Sequence, residues 1–127
     1  MILDSSSIVA IVLREPGFDG LKERIDAASC LVVSAATLVE THMVLTRKLG
    51  RDALPYIEAL LHEAQIQVLP FAEAHWRAAA EGFLRYGKGR HSAGLNFGDC
   101  ISYATARTIR MPLLFKGDDF SQTDVAR

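Results

Sequence analysis

Met1-Ile2-Leu3-Asp4, followed by Ser5-Ser6-Ser7, is the stretch around which the rest of the chain is organised. Three apolar residues predict a short buried strand, and a carboxylate stands where that strand stops. In a parallel α/β sheet, ligands gather outside the carboxyl ends of the strands. Asp4 is therefore expected at the functional edge, with hydroxyls directly behind it. Asp is also a favoured helix N-cap, and at this point the two roles stand side by side. What raises Asp4 above a cap is that acids recur at comparable places downstream: Glu40, Asp99 and the pair Asp118-Asp119.

Working outward, Ile8 to Leu13 continues apolar but on a helical face, ended by Glu15-Pro16-Gly17. Phe18, Leu21 and Ile25 predict a second short helix over 18–28. Cys30-Leu31-Val32-Val33 reads as a second buried strand. Ser34 is a good N-cap for a long helix toward Gly50, and 52–64 gives another. Ile66 to Leu69 is a third strand closed by Pro70, and 72–86 an alanine-rich helix around Trp76 and Phe83. Residues 87–94 form a loop by composition. Asn96 caps a helix over about 97–110, and Pro112-Leu113-Leu114-Phe115 is a fourth strand. Strands separated by helices mean parallel crossovers. The expected fold is α/β, a three-layer α/β/α arrangement around a central parallel sheet of four or five strands, as one domain over residues 1–127.

Composition narrows the class. Half of the 127 residues are hydrophobic, which is rich for a soluble monomer and predicts apolar surface that meets a partner. No run approaches the roughly 18 apolar residues of a membrane span. Asp4 interrupts the N-terminal apolar run, no basic segment precedes it, and a cytoplasmic protein without membrane contact is expected. Fourteen basic and 15 acidic residues leave a formal charge of -1, so any nucleic-acid site must be local. Cys30 and Cys100 are read as buried free thiols.

The acids carry the chemistry. Glu40 has Ala36, Thr37, Met43 and Val44 three and four residues away, none of them cationic. A carboxylate there needs charge from elsewhere, a metal ion, or open solvent. Asp99 lies three residues after Asn96, where it completes a capping box, and the helix N-terminus is expected to favour its ionised form. Asp118 and Asp119 follow a strand directly, and one of them is expected at the edge that holds Asp4. Carboxylates converging on one sheet edge repel unless a cation joins them. Oxygen ligands without a Cys/His set point to Mg²⁺ or Mn²⁺ rather than zinc. The histidines at 42, 62, 75 and 91 have no ligand-like spacing, although His91 lies in a basic loop.

Several stretches together carry a resemblance over essentially the whole chain. They are Ile2-Leu3-Asp4-Ser5-Ser6, Glu40 on the third helix, Tyr86-Gly87-Lys88-Gly89, Leu95-Asn96-Phe97-Gly98-Asp99-Cys100, and Leu113-Leu114-Phe115-Lys116-Gly117-Asp118-Asp119-Phe120. The sequence resembles PIN-domain proteins, specifically VapC-type toxins of bacterial toxin–antitoxin pairs. That resemblance implies a PIN-like fold and a Mg²⁺-dependent ribonuclease, usually dimeric, held inactive by a cognate VapB-type antitoxin. It matches Asp4, Glu40 and Asp99 to an acidic triad and Ser6 to the hydroxyl after the first Asp. Many PIN domains carry Asp-x-Asp-Phe at the last position; here Gly117 replaces the first Asp, leaving Asp119 as the match and Asp118 as a stand-in.

The expected chemistry is hydrolysis of RNA phosphodiester bonds by metal-activated water. Asp4 and Asp99 hold the ion, Glu40 and Asp119 ligate or position water, and Ser6 hydrogen-bonds a ligand or a phosphate oxygen. Lys116 is open between substrate contact and a solvated surface role. Between Glu81 and Asp99 there is no acid, while Arg85, Lys88 and Arg90 lie there among glycines. This segment is expected to guide the RNA backbone. Two alternatives share a strand-terminal Asp. A haloacid-dehalogenase-like phosphatase needs a second Asp where Ser6 stands. A metal-dependent adhesion domain needs a second hydroxyl where Ile8 stands.

Overall fold

The computed structural model describes residues 1–127. Its elements run β1 (Ile2–Leu3), α1 (Ser5–Val12), α2 (Phe18–Ala27), β2 (Val32–Ser34), α3 (Ala35–Leu49), α4 (Leu54–Glu63), β3 (Gln67–Leu69), α5 (Glu73–Tyr86), α6 (Phe97–Ile109) and β4 (Leu113–Leu114). The local signals act as expected where they are local. The Ser34 hydroxyl accepts from the Ala36 N–H at 3.2 Å and starts α3. Gly50, at φ 70°, ends α3 in the left-handed conformation that favours glycine.

All strand pairs are parallel, and the sheet has four strands in the order β3-β2-β1-β4. Ile2 pairs with Val32 on one side and Leu113 on the other. The chain lays β2 and β3 to one side of β1, then crosses back to place β4 on the other side. The reversal between β1 and β4 makes a crevice at their carboxyl ends, the usual position for a ligand in an open parallel sheet. The Asp4 N–H donates to the Leu114 carbonyl at 2.9 Å, so the ends of β1 and β4 are tied together beside the first acid.

Alternation along each strand sorts side chains between two layers. Ile2, Val32 and Leu113 share a core cluster with Cys100, Tyr103 and Ala106 of α6. Leu3, Val33 and Leu114 share another with Ile8 of α1 and Ile25 of α2. A third, smaller cluster joins Val9, Leu45 and Ile57, packing α1, α3 and α4 together. Helices thus cover both faces of the sheet. On the outer layer, α5 and α6 approach closely at Gly82, where any Cβ would meet the Tyr103 ring at about 2.5 Å. Both cysteines are free thiols, Cys100 buried as expected and Cys30 only half-buried.

Candidate active site

Asp4, the N-cap of α1, is 2 % exposed, and both oxygens of its carboxylate accept from donors. Oδ2 accepts from the Ser6 N–H at 2.9 Å and the Ser6 hydroxyl at 2.5 Å. Oδ1 accepts from the Ser102 hydroxyl at 2.6 Å, across 98 residues of sequence. Capping and site placement are therefore both realised. Ser6 Oγ also accepts from the Lys116 N–H at 3.0 Å. Its only proton is committed to Asp4, so this hydroxyl orients a carboxylate and has no donor left for a phosphate oxygen.

Glu40 reaches the same place from α3. Its Oε1 accepts from the Ser5 hydroxyl, and its carboxylate lies against Gly98, where a Cβ would overlap it. Glycine at 98 thus makes room for the acid. Asp99 forms the expected capping box: its N–H donates to Asn96 Oδ1 at 3.0 Å, and its Oδ2 accepts from the Asn96 N–H at 2.9 Å.

The electrostatic consequence differs from the expectation drawn from the helix N-terminus. Burial pushes the Asp99 carboxyl up from 3.8 to about 6 against the Asn96 hydrogen bond, with Asp4, Asp119 and Glu40 adding repulsion. Desolvation in the packed site outweighs the local hydrogen bond, and the three other carboxylates add to it.

Asp4, Glu40, Asp99 and Asp119 line one cavity of about 570 Å³ at the carboxyl ends of β1 and β4. Asp119 is exposed there; Asp118, also exposed, is not among the lining residues. Ser6 and Lys116 line the cavity, whereas Arg85, Lys88 and Arg90 do not. Arg85 pairs with Asp124 at 3.2 Å, and Arg90 Nε donates to the Leu84 carbonyl at 3.2 Å. His91 packs edge-on against Tyr86, with ring centroids 5.2 Å apart.

Sequence reasoning passed over Glu15, Lys48, Gly98 and Ser102, and gave Ser5 only as one of the hydroxyls behind Asp4. Ser102 had a readable signal, since it lies one helical turn after Asp99 and so on its side of α6. Glu15 and Lys48 had none.

The donor set suits a hard divalent cation. No three Asp, Glu, His or Cys side chains come close enough to cage an ion by themselves. That is compatible with magnesium, which keeps several waters and takes one or two carboxylates plus substrate phosphate.

The PIN-domain family model matches residues 1–126. The chain belongs to the PIN-domain family, among the VapC ribonucleases. It is 36% identical over 126 residues to a VapC ribonuclease of Mycobacterium bovis, covering 99% of this chain and 96% of that protein. It is 44% identical to ribonuclease VapC36 of Mycobacterium tuberculosis, covering 98% and 91%. Among solved structures, Mycobacterium tuberculosis VapC20, described as a Sarcin-Ricin loop cleaving toxin, superposes with a TM-score of 0.78 at 20% identity, over 98% of this PIN domain and 95% of that chain. A toxin–antitoxin complex from Klebsiella pneumoniae matches at 0.70 and 18%, over 97% and 92%. VapC proteins are ribonuclease toxins of toxin–antitoxin systems, metal-dependent in general and paired with antitoxins. Membership sets aside the phosphatase and adhesion alternatives. No helix of this PIN domain is long and apolar enough to cross a membrane.

Proposed function

We propose that this chain, as one domain over residues 1–127, is a Mg²⁺-dependent endoribonuclease toxin acting at the Asp4–Glu40–Asp99–Asp119 cavity, with Mn²⁺ able to substitute. The supporting observation is that acids from four separate stretches line one cavity, where burial first and the neighbouring carboxylates second push the Asp99 carboxyl up to about 6.

Asp4 and Asp99 would hold the ion, Glu40 and Asp119 would complete or extend the set, and Asp118 stays on the outside. When bound, the metal supplies positive charge to a phosphate and lowers the pKa of a coordinated water. The chain's part is orientation. Ser6 and Ser102 fix both oxygens of Asp4, Ser5 and Gly98 fix Glu40, and the capping box fixes Asp99. Lys116 contributes a cation to the substrate side of the cavity. Arg85 in the last turn of α5, with Lys88 and Arg90 on the connection that leads to Asn96, would extend the phosphate path beyond the cavity rather than enter it.

The partners follow the same reading. RNA is the substrate, and a cognate VapB-type antitoxin occupies the groove, with a cationic side chain answering the acids. A second copy covers apolar surface: Trp76, Phe83 and Phe97 are 52%, 44% and 84% exposed and line a groove of about 420 Å³. Such exposure on large side chains marks an interaction surface. The site of action is the cytoplasm.

The deciding experiment incubates purified protein with total cellular RNA, with and without Mg²⁺, and maps new ends. Discrete ends that depend on Mg²⁺ and vanish with a chelator are expected. Undiminished cleavage in excess EDTA, or intact RNA throughout, overturns the reading. Sedimentation at micromolar concentration checks the dimer, and a monomer would count against it.

A further inference from the structure

Besides the acids, the cavity wall carries two cations, Lys48 and Lys116, and a fifth carboxylate, Glu15. Glu15 follows α1, where the chain turns back through Arg14 at φ 50° and the Glu15 N–H donates to the Ala10 carbonyl at 2.9 Å. Its Oε2 accepts from Lys116 Nζ at 2.6 Å, and its Oε1 faces Lys48 Nζ at 3.2 Å. Lys48 belongs to the last turn of α3 and Lys116 follows β4. One carboxylate therefore bridges two ammoniums delivered by two different elements. These hydrogen bonds hold the Glu15 carboxyl below its ordinary range, Lys116 having the larger effect.

We propose that Glu15 is a positioning residue, holding Lys48 and Lys116 together as a two-ammonium seat for a substrate phosphate adjacent to the one being cleaved. The proposal rests on the ribonuclease reading and adds to it a second phosphate subsite.

Each ammonium has three N–H donors, and Glu15 uses one on each, leaving donors for a further acceptor. The side chains of Lys48 and Lys116 remain 50% and 36% exposed, so a ligand can reach them. A lysine already fixed by a carboxylate loses less side-chain freedom on binding than a free one. Lys116 is held twice, because its N–H also donates to the Ser6 hydroxyl that donates to Asp4. The seat thus keeps a set register to the first acid. With five carboxylates on the same wall, these two lysines are the only cationic side chains lining the cavity that an entering polyanion meets.

The test exploits a sign. A Glu that merely lines the cavity repels RNA, so removing its charge would tighten binding. A Glu that positions two lysines does the opposite. Binding is read by anisotropy of a 5′-fluorescein single-stranded oligoribonucleotide spanning a mapped cleavage site, in Mg²⁺ and on an Asp99→Asn background. KM and kcat are read on the otherwise unaltered chain.

Glu15→Gln is expected to raise Kd and KM about three- to tenfold, with kcat within about twofold. Lys48→Ala should do the same and flatten the log Kd against log salt slope by about 0.7, the share of one phosphate contact to a single strand. Lys48→Arg, which keeps the charge, should restore most of both, and melting temperatures report folding independently. Tighter or unchanged binding in Glu15→Gln, or an unaltered salt slope in Lys48→Ala, overturns the proposal. If the unaltered chain neither binds nor cuts RNA, the ribonuclease reading itself has failed, a result distinct from either.

Discussion

Asp4 and Asp119 line the same cavity, yet the first is buried under three donors while the second is exposed on the turn after β4. Asp4 is held from both sides, by α1 through Ser6 and by α6 through Ser102. The left-handed Gly117, at φ 96°, precedes the pair that includes Asp119. The β1 end of the site is thus organised before anything binds, whereas the β4 end keeps an acid that can be recruited. A fixed carboxylate favours affinity and geometry; an exposed one costs little to keep and contributes less.

The sharpest way to break that contrast is Asp4→Asn. An amide in place of a carboxylate surrounded by donors leaves donor facing donor, so a loss of about 1–3 kcal/mol in stability is expected. Cleavage should fall at least about 100-fold, because the charge proposed to hold the metal is removed as well. Denaturant melts and single-turnover cleavage check both, and a variant that still cuts normally would remove Asp4 from the site.

Gly98→Ala tests the α3 wall. The new methyl group would overlap the Glu40 carboxylate, which is the end of a flexible side chain and can move. Cleavage should drop about tenfold or more while the melting temperature changes little. A large loss of stability with cleavage per folded molecule intact would mean that Gly98 serves packing alone.

Ser102→Ala removes one of the three donors to Asp4. A loss of about 10-fold in Mg²⁺ affinity or cleavage is expected, with about 1 kcal/mol of stability. Titration of Mg²⁺-induced thermal shifts separates the two.

Asp99 gives a pH signature with a definite sign. Its folded value near 6 exceeds the ordinary 3.8, so between them the folded chain holds a proton that the unfolded chain has released. In the metal-free protein this group's contribution to stability is highest below that window and is lost as pH rises through about 6. Glu15, with a lowered value, acts oppositely: it stabilises above its ordinary range and loses that contribution as pH falls through the lowered one. With Asp99 as a ligand, as proposed, binding would need it ionised, so Mg²⁺ should raise the melting temperature more at about pH 7.5 than at about pH 5. Equal shifts at both would argue against Asp99 as a ligand.

Asp119→Asn should have the smallest effect, a loss within about tenfold that added Mg²⁺ restores, with no change in melting temperature. If it were as damaging as Asp4→Asn, the contrast between the two ends would be wrong.

The amino-acid sequence alone determined the order of strands and helices, because period, caps and breakers act over a few residues. Ser34, Gly50 and the Asn96/Asp99 box do their work within one helical turn. It also marked Asp4, Glu40, Asp99 and Asp119 as the acids to watch. Only tertiary structure decided what holds them. Ser102 meets Asp4 across 98 residues, Glu40 rests on Gly98 from another helix, and Glu15 joins Lys48 to Lys116 across 33 and 101 residues. Such pairings leave no periodic trace, because they depend on which strand lies beside which, and that follows from the crossover that sets β4 next to β1. The same crossover placed Lys116 in the cavity opposite Lys48 of α3, while Arg85 and Arg90 were drawn to Asp124 and the end of α5. Packing likewise pushes the Asp99 carboxyl up to about 6. The helix end next to that residue is a local feature that favours ionisation, but the burial and the three carboxylates that outweigh it come from the packed fold.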